Sequence, residues 1–74
     1  MTKEEFAAEW RGMVGVGWKG VMARAIDVAP GTVTRWVKGE TELPGYMHAI
    51  TEMALGLTQN GVGLPDAFLR DRDR

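Results

Sequence analysis

The chain has 74 residues, 45% of them hydrophobic and 26% charged, with a formal net charge of −1 and no cysteine. That length allows one domain with a modest core, and small domains of this kind often gain stability from a partner. A chain without cysteine has no disulfide framework and no thiolate metal site, and none of its apolar runs reaches the roughly 18 residues of a membrane span.

The opening Met1-Thr2-Lys3-Glu4-Glu5-Phe6 lacks the apolar stretch of a secretory signal, so a cytoplasmic protein is expected. The charge is unevenly distributed. Between residues 11 and 38, Arg11, Lys19, Arg24, Arg35 and Lys38 face a single acid, Asp27, whereas both flanks are net acidic. A phosphate backbone responds to the field within a Debye length of about 8–10 Å. A basic middle therefore keeps nucleic acid in play despite a pI near 5.7.

The first helix is expected from Thr2 to about Met13. Thr2 and Glu5 have the spacing of a capping box, and Phe6, Ala7, Trp10 and Met13 fall on one stripe. A second helix is expected from Trp18 to Ile26, with Met22, Ala25 and Ile26 facing inward and Val21 beside them. Trp18 reads as a partly exposed cover between these two helices. Asp27-Val28-Ala29 breaks the pattern, and Pro30 suits the first turn of a new helix because its missing N–H would be unpaired there anyway. This third helix runs to Lys38, and Gly39 is a natural left-handed terminator. Pro44 opens a fourth helix to about Leu55, with an apolar stripe of Tyr46, Met47, Ile50, Met53 and Ala54. A short fifth helix or ordered arm is expected from Pro65 to about Asp71. No segment has strand periodicity. The prediction is an all-α, four- to five-helix bundle formed by residues 1–69, with residues 70–74 a frayed tail.

The second and third helices, joined by three residues, have helix-turn-helix spacing. Ala23 falls where the two helices approach closely, and Ile26, Val28, Val33 and Trp36 are placed to form one small core beneath the turn. On the opposite arc of the third helix lie Gly31, Thr32, Thr34, Arg35 and Lys38, with no acid and no large apolar residue among them. A guanidinium binds guanine O6 and N7 through two hydrogen bonds, and threonines serve base edges or a thymine methyl. Gly31, Thr32, Thr34 and Arg35 are therefore the candidate base readers. Lys19, Arg24, Lys38 and Tyr46 are the candidate phosphate contacts. Taken without the motif, Arg35 and Lys38 read more readily as a solvated helix face.

Residues 17–44, GWKGVMARAIDVAPGTVTRWVKGETELP, resemble the Cro/repressor-type helix-turn-helix of phage and bacterial regulators. Trp18, Met22-Ala23-Arg24, Val28, Thr32-Val33, Arg35-Trp36, Gly39 and Pro44 carry the resemblance, which covers about residues 10–55. Two positions depart from the family pattern: Lys19 stands where glutamine is preferred, and Asp27 where glycine is usual. Aspartate tolerates a left-handed backbone better than most residues. The resemblance implies a lambda-repressor-like fold with its motif at about 18–39. It also implies a homodimer that inserts the helix 30–38 into the major groove of a palindromic operator and acts as a repressor. Val62, Leu64, Phe68 and Leu69 either return to the core or form the dimer surface, and the second is expected.

Phage packaging or excision accessory factors use similar motifs, and a protein-interaction module with the same fold is a third reading. A single histidine and the lack of a phosphate-cradling glycine loop after a strand argue against an enzyme. His48 and Glu52 have i, i+4 spacing, but two ligands make a poor zinc site. No cofactor or small-molecule ligand is expected. Met13, Met22, Met47 and Met53 read as flexible core filler.

Overall fold

Every helix of the computed structural model, which describes residues 1–68, begins within a residue of where its sequence signal stands. The order is α1 (Lys3–Val14), α2 (Trp18–Ile26), α3 (Pro30–Lys38) and α4 (Gly45–Gln59), followed by a single 3-10 turn at Asp66–Phe68. Among the described residues there is no strand, and no helix is long and apolar enough to cross a membrane.

The predicted capping box closes α1. Thr2 Oγ1 accepts from the Glu5 amide at 3.1 Å, and Glu5 Oε1 accepts from the Thr2 amide at 2.9 Å. Glu4 in the same turn accepts from Lys3 Nζ at 3.0 Å, and this hydrogen bond holds its carboxyl below the usual range. Gly12 continues the helix rather than ending it, and Gly15 terminates it at φ 111°. Helix α3 ends on Gly39 in the left-handed region, at φ 80°.

Phe6 is the centre of the core. Its ring meets Trp18 of α2 edge-on at 5.5 Å and Trp36 of α3 edge-on at 6.5 Å, so one α1 side chain ties together the three N-terminal helices. Edge-to-face pairs at this range add about 0.5–1.5 kcal/mol each beyond the area they bury. Trp18 is 1% exposed, so the sequence reading of it as a partly exposed cover is corrected. Its position at the start of α2 directs the whole indole against Phe6. The indole N–H is buried without an acceptor among the described residues, a cost set against that packing.

A second aromatic contact closes the other end. Trp10 of α1 meets Phe68 at 5.1 Å, and the 3-10 turn carrying Phe68 packs against α2. Of the expected fifth helix the described residues show one turn, set apart from α4 by Gly61 and Gly63 at positive φ and by Pro65, and the remainder to Asp71 lies outside them. Between these clusters lies a buried polar link that sequence reasoning missed. Trp10 Nε1 donates to Thr51 Oγ1 at 2.8 Å, and that hydroxyl donates to the Met47 carbonyl at 2.7 Å. The hydroxyl satisfies the indole and is itself satisfied by its own helix, so α4 is fastened to α1 with no polar atom wasted.

Helix α4 departs most from expectation. It runs four residues beyond Leu55, and its inward stripe is Met47, Thr51 and Ala54. Tyr46 and Met53, assigned to that stripe from the sequence, are 54% and 62% exposed. At about 100° per residue they lie away from the Met47–Thr51–Ala54 line that faces α1.

Candidate nucleic-acid interface

The segment joining α2 to α3 is short because one residue makes the reversal. Asp27 sits in the left-handed region at φ 60° and ψ 52°, and it is the only described non-glycine residue with positive φ. Its amide and that of Val28 both return to the Ala23 carbonyl, the latter at 3.0 Å. Ala29 is extended, Pro30 enters α3, and the Thr32 amide donates to the Ala29 carbonyl at 2.9 Å. Ala23 is buried where α2 and α3 pack together. Val33 and Trp36 are buried, and Ile26 and Val28 are partly buried against the same core. The five predicted motif-core residues are thus brought together.

With Val33 and Trp36 turned inward, the other arc of α3 is left uncovered. Gly31, Arg35 and Lys38 are exposed, and Thr32 and Thr34 are half-buried. The Arg35 guanidinium lies back along the helix: a Cβ on Gly31 would stand 3.8 Å from Nη2. The side chains of Thr32, Thr34, Arg35 and Lys38 make no hydrogen bond or ion pair among the described residues, so their donors are available.

The helix starts differ in a systematic way. Helix α1 has its capping box and two acids in its first turn. Helices α2, α3 and α4 start at Gly17, Ala29 and Pro44 with no side-chain cap and no first-turn acid. Their free amides and positive dipole ends favour an anion. Lys19, half-buried in the first turn of α2, adds an ammonium beside one of these ends. Arg24 is exposed on α2 but already holds an interaction of its own, so it is the least available of the predicted phosphate contacts. Tyr46, in the first turn of α4, is on a helix whose main packing partner is α1 rather than α2 or α3.

The structure divides the residues expected at the dimer surface. Phe68 is buried against Trp10, and Leu64 packs partly buried on the core, because a chain this small needs both to close it. Only Val62, 70% exposed, stands free, and Leu69 with the tail at 70–74 lies outside the described residues. His48 is half-buried on α4, and among the described residues no three His, Cys, Asp or Glu side chains gather as a metal site would require. Compared with known proteins, the chain matches no family model, no curated protein and no solved structure.

Proposed function

We propose that the chain is a sequence-specific DNA-binding regulator, a repressor acting as a homodimer, with α3 as the helix that enters the major groove. The observation that carries this reading is the α3 face. It has two hydroxyls, a guanidinium and an ammonium on one uncovered arc, no acid among them, and an uncapped N-terminus. Arg35 is the bidentate reader of guanine, and Thr32 and Thr34 contact base edges or methyls beside it. Gly31 lets the helix start come close to the DNA. Lys19 and Lys38 neutralise phosphates and set the register, in the usual division between positioning and reading contacts. The motif resemblance at residues 17–44 and the basic stretch from Arg11 to Lys38 support the same reading. Two copies are reasonable on size: the longest dimension is 32 Å, against the roughly 34 Å that separates successive major-groove half-sites.

A gel-shift titration against DNA from upstream of the chain's own gene, beside an unrelated duplex, tests it. Arg35→Ala is expected to weaken binding by about 1–3 kcal/mol and to relax discrimination at the contacted base pair. Unchanged affinity for both duplexes would remove α3 from the interface. The net charge of −1 favours a second reading, a protein-interaction module that has kept this helix arrangement. No binding even at low salt would select it, since phosphate contacts strengthen steeply as salt falls.

A further inference from the structure

Helix α4 has two apolar stripes where a surface helix normally has one. The inner stripe, Met47, Thr51 and Ala54, is buried on α1. The outer stripe is Tyr46, Ile50, Met53 and Leu57, which at about 100° per residue falls within an arc of about 60°. Tyr46 and Met53 are mostly exposed, and Ile50 and Leu57 are partly so. The two ionisable side chains of the helix besides Tyr46, His48 and Glu52, lie on the far side of it. Beside the stripe opens a cavity of about 310 Å3, lined by Ala25 and Ile26 of α2, Ile50 and Met53 of α4, and Pro65 and Phe68. None of these groups carries charge or a side-chain hydrogen-bonding atom.

The stripe is also symmetric about its own midpoint. A two-fold axis between Thr51 and Glu52 sets Tyr46 opposite Leu57 and Ile50 opposite Met53. Large side chains thereby meet large ones, and no charge lies in the stripe. An isologous interface requires this kind of self-complementarity. A charge-free strip on a chain that is 26% charged finds its best match in a second copy of itself. Resting on the homodimer of the reading above but not on its DNA, we infer that two copies associate through antiparallel α4 helices. Met53 of each copy enters the apolar cavity of the other. This assignment moves Tyr46 from a phosphate to the rim of the dimer, where its ring is covered and its hydroxyl stays wet. It also replaces the C-terminal surface around Val62.

Sedimentation velocity on the full chain without DNA tests it. The unaltered protein is expected to show a concentration-dependent monomer–dimer equilibrium. Met53→Glu is expected to raise the dissociation constant about 30-fold or more, as loss of a central anchor does. Val62→Glu is expected to leave it unchanged. Because the chain has no cysteine, Met53→Cys gives a clean second readout: the two thiols fall near the axis and oxidation should yield a disulfide-linked dimer, while Val62→Cys should not. A monomer at every concentration, a Met53→Glu protein that still dimerises, or cross-linking at Val62 instead of Met53 would each overturn the assignment. A dimer without DNA binding would leave it standing and remove only the regulator reading.

Discussion

Helices α3 and α4 each leave a face uncovered, and the two faces are opposites. That of α3 is made of hydroxyls and cations around Arg35, and that of α4 of Tyr46, Ile50, Met53 and Leu57. The first suits a partner that is anionic and wet, since direct and water-bridged hydrogen bonds to DNA tolerate solvent. The second gains only when water is excluded. One small domain thus presents two faces suited to different physical forces, and the conditions that weaken binding at one should spare the other.

The largest lesion should abolish that distinction. Phe6 touches Trp18 and Trp36 and is fully buried, so it holds the helices on which both faces depend. Phe6→Ala is expected to cost about 3–5 kcal/mol, which for a domain of this size removes most of the folded state. Urea denaturation followed by tryptophan fluorescence measures this. If DNA binding survived in a variant that no longer dimerised, the faces would not share the Phe6 core.

Salt should separate the faces most cleanly. With Lys19 and Lys38 as the phosphate-neutralising groups, each copy should lose about 12-fold in DNA affinity between about 50 and 200 mM salt. The α4 association has no charge to screen and should hold or tighten slightly over the same range. Parallel gel-shift and sedimentation titrations compare the two. A dimer that dissociates as salt rises would point to charged groups outside the α4 stripe.

The α3 face was legible in the sequence, and the α4 face only in part, for physical reasons. A three-residue turn between Pro30 and a preceding amphipathic helix fixes which residues of α3 point inward, and Gly39 fixes where it stops. Backbone chemistry at Asp27, Ala23 and Pro30 is local and can be read locally. In α4 the pattern is ambiguous. Periodicity marks Tyr46, Met47, Ile50, Met53 and Ala54 as one broad apolar stripe, yet the bundle covers only part of it. What decides the inward direction is Thr51, a polar residue buried because the Trp10 indole reaches it from 41 positions away. Nothing near Thr51 in the chain announces that partner. The same holds for Phe68: an aromatic in a glycine- and proline-broken segment reads as spare surface until Trp10 is found beneath it.

The Thr51 link offers the finest test, because it acts on α4 and leaves α3 alone. Thr51→Val keeps the volume and the branch at Cβ but removes the hydroxyl. The Met47 carbonyl keeps its ordinary helical partner, so the uncompensated loss is the Trp10 N–H, left buried without an acceptor. Such a group costs about 1–3 kcal/mol, and the low end is expected here because only one of the two bonded partners is stranded. Thr51→Ser, which restores the hydroxyl, should recover most of the loss and so separate the hydrogen bond from packing. A slackened α4 should weaken self-association more than the intrinsic DNA affinity of one copy for a half-site, since Trp36 and Phe6 still hold α3. Equal losses at both faces would mean that α4 supports the reading helix as directly as α1 does, and that the two interfaces are coupled through the core rather than merely carried by it.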